Sequence, residues 1–226
     1  GTGERLNLYR PSVTFARAWK ESDAIIARGR CNRDVLLGTS HLFTRDVFCF
    51  WEDRGEVRMQ LKPHAPGIRK FSEQALTAKA RTIIKSMRAS KDSGKAVMFY
   101  SCIIGSIPGQ TATAIKVADT FVRSLRERLD QVFIINPAEY FEPGMDGDDL
   151  MFMWEQVQRS GLINIWRFQS MEDIEASFGL MGLKVPPVWS GKDATFSTGC
   201  TKEMRIALDM QRSHPELQIV GPGPEK

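Results

Sequence analysis

Apolar residues recur along this chain at two periods, close to two and close to 3.6, and the switches between them predict its elements. Val47-Phe-Cys-Phe-Trp51 gives way to Glu52-Asp-Arg-Gly55 and then to Val57, Met59 and Leu61 set among polar residues, the pattern of a β-hairpin. Beyond Pro63 and Pro66, Leu76, Ala80, Ile83, Ile84 and Met87 share one face of a helix predicted from Phe71 to Arg88, and Ser93-Gly94 stops it. Ala96 to Ile104 is almost wholly apolar and bounded by glycines, which suits a strand buried on both faces at the centre of a sheet. Ile115, Ala118, Val122, Leu125 and Leu129 form a second helical stripe, and Gln131 to Ile135 a second short buried strand. Strand, helix and strand over Ala96 to Ile135 have the length of a right-handed parallel crossover, so the fold class is α/β. Leu150 to Val157 reads as a helix with apolar residues on more than one face. Ile163 to Phe168 reads as a strand, and Met171 to Leu183 and Thr201 to Gln211 as helices ahead of Leu217-Gln-Ile-Val220.

Composition narrows the class without naming a function. Among 226 residues, 42% are hydrophobic and 26% charged, enough to build a core without staples, which excludes a disordered or fibrous protein. Lys and Arg number 31 against 27 Asp and Glu, and a net charge of +4 points to no particular partner. The basic excess of residues 1–33 reads as a solvated face. No apolar run reaches the roughly 20 residues that span a bilayer, and Gly1 to Arg10 lacks an apolar signal core, so a soluble, cytoplasmic chain is expected. Without repeats or low-complexity linkers, the expected organisation is a basic N-terminal extension (1–40), one domain (41–183) and a C-terminal extension (184–226) packed on that domain.

Candidate chemistry is sparse. Cys31, Cys49, Cys102 and Cys200 have no CxxC spacing and read as reduced thiols. His41, His64 and His214 stand far apart, so no metal centre is expected. Asp146, Asp148 and Asp149 fail the spacing of a calcium loop and fall at a helix start, where acids have a structural reason. The loop Gly105-Ser-Ile-Pro-Gly-Gln-Thr111 joins a buried strand to a helix, a place where backbone amides hold phosphate, yet GxxxxGK[ST] and GxGxxG are both absent and Pro108 removes an amide. Ser106 does not reproduce the G-x-S-x-G elbow, and neither it nor Cys102 has an evident base. Aromatics do not interleave with a basic stripe, so no nucleic acid is expected among the partners.

Phe121 to Phe141 resembles the signature of the CRAL-TRIO lipid-transfer family, in which a helix ending in Pro-Glu-Arg is followed by a strand of the type Ile-Ile-Asn-Ala-Pro and then an aromatic residue. Glu127-Arg128-Leu129, Ile134-Ile135-Asn136-Pro137 and Phe141 hold that order. The resemblance extends from about Asp46 to Gly182, with Arg126 where the family has proline, Cys102 where an aspartate commonly ends the central strand, and Gln158-Arg159 for its lysine–proline pair. It implies a mixed, mainly parallel sheet flanked by helices, with a helical gate over an apolar pocket. Phe99, Ser101, Ile103, Phe133 and Ile135 would be its walls, Phe152, Trp154 and Val157 its gate, and Glu142 to Gly147 its hinge. The function so implied is non-enzymatic binding and transfer or presentation of a phospholipid or isoprenoid at membrane surfaces, without cofactor. The partners would be the lipid, a membrane surface met peripherally and a protein bound through the terminal extensions. Two alternatives stand beside it: an α/β enzyme holding a phosphate-bearing substrate at the loop 105–111, and a protein-interaction scaffold whose apolar helix docks a partner.

Overall fold

Arg54 and Gly55 both take positive φ, 52° and 83°, the backbone twist that lets a two-residue turn join right-twisted strands. This turn and its hairpin belong to the first of two compact units in the computed structural model, which describes residues 15, 18, 19, 21–39, 43–65, 71–142, 145 and 147–223, apart from the side chains of 147 and 148. Residues 1–14 of the basic extension, His41, Pro143, Gly144, Asp146 and the Asp148 side chain lie outside the described residues. The first unit comprises Gly1–Ala75 with Pro143–Met145, and the second Leu76–Glu142 with Asp146–Lys226. The boundaries expected at residues 40 and 183 thus fall inside these units.

In the first unit, strand β1 (Ala24–Arg28), helix α1 (Arg30–Gly38) and strand β2 (Asp46–Asp53) form a parallel crossover, and β2 pairs antiparallel with β3 (Glu56–Lys62). Alternation along β2 turns Val47 and Cys49 inward, where they join Ala27, Leu36 and Phe43 in a small core. Part of the segment read as an extension is therefore folded.

The second unit starts within the first turn of α2 (Glu73–Asp92), whose buried stripe is Leu76, Ala80, Ile83 and Met87. Its sheet runs β5 (Val132–Ile135), β4 (Ala96–Ser101), β6 (Ile165–Phe168), β7 (Gln218–Val220), with all neighbours parallel. Four more helices connect these strands: α3 (Thr111–Arg128), α4 (Gly147–Gln158), α5 (Met171–Leu180) and α6 (Thr198–Ser213). Met98, Tyr100 and Cys102 face α3, through Ala118, Phe121, Val122 and Leu125, whereas Phe99 faces Trp154 of α4. Helix α5 packs with α3 and α6 with α4, so both faces of the sheet are covered by helices. From β4 the chain crosses to β5 over one face, then back past β4 to β6 over the other, which keeps both crossovers the same hand.

Where the resemblance implies one mixed sheet, the described residues form two, a three-stranded mixed sheet and a four-stranded parallel one. Several predicted elements change length for identifiable reasons. Strand β4 stops at Ser101 because its neighbour β6 ends at Phe168, and the Ile103 amide donates to the Gln169 side chain (3.1 Å) instead of a ladder partner. Helix α5 starts on a capping box in which Ser170 and Asp173 bond each other's backbone amides. Helix α6 begins three residues early because Ser197 caps it through the Cys200 amide.

Candidate functional site

Strand order reverses between β4 and β6, and in open parallel sheets ligands bind outside the carboxyl ends of the strands at such a point. The loop Ile104–Gln110 leaves β4 at this edge. Its Ile107 is buried, and Gly105, Pro108 and Gly109 are exposed. Gly109 turns the loop with φ of 70°, a conformation that side chains with a Cβ resist. Gln110 precedes α3 and gives it no side-chain cap, leaving first-turn amides without an intrahelical partner. The Ser106 and Ser197 hydroxyls lie 3.0 Å apart, which ties the loop to the start of α6. After β5, Asn136 accepts from the Ala138 amide (3.1 Å) and donates to Asp119 (2.6 Å).

The segment between α5 and α6 covers part of this edge. Trp189 is fully buried against Phe178, Ile103 and Ile107, and its indole N–H donates to Gln110 Oε1 at 3.3 Å. The Ala194 amide donates to the Gln169 carbonyl at 2.9 Å.

Beneath the edge, on the α4/α6 face, lies a buried polar chain. The Trp166 indole donates to Ser101 Oγ (2.8 Å), Ser101 bonds the Glu203 carboxyl, and Gln158 donates to Glu203 Oε1 (2.9 Å). Burial pushes the Glu203 carboxyl up to about 7, against the opposing pull of the Ser101 and Gln158 hydrogen bonds. Two buried polar atoms at this chain, Trp154 Nε1 and Gln158 Oε1, have no hydrogen-bond partner among the described residues. Burial also pushes up the Cys102 and Cys200 thiols, with the Glu203 charge adding to it, so neither is an activated nucleophile. On the opposite face Arg167 forms a two-point ion pair with the buried Asp173, at 2.5 and 3.2 Å.

The residues singled out from the sequence fall into two places. Phe99, Phe133, Ile135 and Ser101 alternate toward the α4 face, where Trp154 meets Phe99 edge-on at 5.4 Å and Tyr140 at 5.4 Å. Val157 is fully buried and Phe152 half-buried. Side chains fill this interior, since Phe99, Trp154 and Trp166 are at most 2% exposed. Ile103 is elsewhere, in the cluster around Trp189 at the carboxyl edge. Arg126, at the family's proline position, holds Glu139 with two hydrogen bonds and also donates to the Ile134 carbonyl.

The sequence reading missed Glu203, although a signal for it exists: it lies on the buried stripe of α6 with Cys200, Met204 and Ala207, where a lone carboxyl needs partners. Trp189 carried no comparable signal, because its partners come from three separate stretches of the chain. Among the described residues no group of three or more His, Cys, Asp or Glu side chains could hold a metal ion, and no helix is long and apolar enough to cross a membrane. No protein-family model, curated protein or solved structure matches the chain.

Proposed function

We propose that the second unit binds a small phosphate-bearing molecule at the carboxyl edge of its parallel sheet, with the loop Ile104–Gln110 and the start of α3 holding the phosphate. The observation that carries this reading is the reversal of strand order between β4 and β6, directly below that loop. The uncapped first turn of α3 supports it, because free amides and the helix dipole favour an anion there. Ser106 and the hydroxyl-rich start of α6 supply further donors at the same edge. A thermal-shift series with nucleotides, sugar phosphates and inorganic phosphate tests the reading. A ligand at a hundred times its Kd stabilises the fold by about 2.7 kcal/mol and raises Tm. Gly109→Val should abolish the shift, because valine resists the positive φ of that turn. Unchanged melting with every compound at millimolar concentration would remove the reading.

A second reading, a hydrophobic ligand held beneath α4 as the CRAL-TRIO resemblance implies, is favoured by one observation. The Trp154 indole N–H, beside Phe99 and Tyr140, is buried without a hydrogen-bond partner among the described residues. An acyl chain entering there would gain about 0.8 kcal/mol per buried CH₂, and α4 would have to swing out to admit it. Native mass spectrometry followed by organic extraction separates the two: a one-to-one co-purifying lipid favours this reading, and an apo mass that persists after incubation with mixed liposomes counts against it.

A further inference from the structure

The outer face of α3 carries a second feature, independent of the carboxyl edge. Lys116, Asp119 and Arg123 recur at three- and four-residue spacing and so share a stripe beside the one packed on the sheet, and Ile115, which packs partly against the core, lines the boundary between the two. With Leu180 and Met181 at the end of α5 they enclose an open groove of about 440 Å³, within the usual size of small-ligand sites, roughly 300–1,000 Å³. Its two ends differ from its floor. Lys116 and Arg123 stand two turns apart, about 10 Å along the helix, and form no hydrogen bond or ion pair among the described residues. Leu180 is 60% exposed, an apolar side chain lining the same groove as the two cations, of which Arg123 interacts electrostatically with Asp119. Asp119 lies between the cations and opposes an anion, but the Asn136 amide holds its carboxyl at 2.6 Å toward the end of β5. Two cations against one tethered carboxylate leave the lining positive.

We propose that this groove binds a small organic anion with an apolar body, an aromatic or medium-chain carboxylate, sulfonate or phosphate. Its acid group sits between Lys116 and Arg123, and its body lies on Ile115, Leu180 and Met181. A peptide would need a longer surface than this groove offers, whereas one compact amphiphile fills it and meets both chemistries at once.

Amide-resolved NMR titration of the full chain tests this with three probes: 8-anilinonaphthalene-1-sulfonate, neutral naphthalene and inorganic phosphate. The sulfonate should saturate at one per chain and shift the amides of Lys116, Asp119, Arg123 and Leu180. Naphthalene and phosphate should each bind at least about tenfold more weakly, because each offers half of the recognition. The Lys116→Gln/Arg123→Gln double variant, altered only at the helix surface, should keep its spectrum and bind the sulfonate about tenfold more weakly. Unchanged affinity in that variant overturns the proposal, as do sulfonate shifts confined to other residues. Phosphate shifts at Gly105 to Gln110 alone would support the edge site and leave the groove to be decided by the sulfonate.

Discussion

Glu203 is the residue whose environment departs furthest from what its type prefers. A carboxyl inside a helix–sheet interface is tolerated when it stays protonated or when hydrogen bonds hold its charge, and here both operate. Its folded value of about 7 stands above the ordinary 4.5, so across that interval the folded chain keeps a proton that the unfolded chain has released. Stability therefore falls as pH rises from about 4.5 through 7, by roughly 3 kcal/mol for a shift of this size. Glu203→Gln keeps the acceptor for Gln158 and removes the titration. Urea unfolding at pH 5, 6.5 and 8 should show the wild-type chain losing stability along the series, and the variant overtaking it by about 2 kcal/mol at pH 8. Parallel pH profiles in the two proteins would mean that Glu203 is ionised throughout. The Asp173 carboxyl is as deeply buried but arranged differently: Arg167 pairs with it, and the Ser170 amide and the Tyr100 hydroxyl donate to it.

At the scale of elements, β7 depends on a close backbone approach. Gly221, just past the strand, has φ of 104°, and a Cβ there would overlap the carbonyl oxygen of Phe168 on β6. Gly221→Ala must therefore push β7 away from β6 or strain the backbone, at a cost of about 2 kcal/mol or more. A lower denaturation midpoint, with lost amide protection at Gln218 and Val220, is the expected result; wild-type stability would mean that this segment rearranges without cost. The elements themselves were largely legible in the sequence, because β4, α3 and β5 each carry a clean period over a single buried face or pair of faces. Their arrangement was not. Strand order is set by which helix covers which face, information that no window of the sequence holds, so the reversal between β4 and β6 emerged only in three dimensions. In the first sheet the β2–β3 hairpin was legible, and β1 was obscured for a different reason. β1 is five residues long, and although its burial alternates, the outward Ile26 at 76% exposure is as apolar as the inward Ile25, so the sequence does not alternate as a strand does. The candidate site divides the same way: the loop 104–110 was visible as a strand-to-helix join, whereas Ser101, Gln158, Trp166 and Glu203 are drawn together from four separate elements.

At the scale of the molecule, the two units differ in how much they bury. The first rests on Ala27, Leu36, Phe43, Val47 and Cys49, and its edge strand β3 leaves Val57, Met59 and Leu61 at 78%, 56% and 42% exposure. The second buries side chains on both faces of its sheet and has a central strand, β4, hydrogen-bonded on both sides with Val97 to Ser101 all buried. Small sheets with a handful of core residues are marginal by themselves, because the apolar area removed from water barely offsets the ordering of the chain. Unfolding should accordingly proceed in two steps, with the first sheet opening at lower denaturant than the second. Native-state hydrogen exchange reads this directly. Amides of Phe48, Phe50 and Gln60 should exchange through an opening that costs several kcal/mol less than the one protecting Phe99, Tyr100 and Trp166. Equal protection in both sheets, with coincident fluorescence and circular dichroism transitions, would show instead that the chain unfolds as one cooperative body.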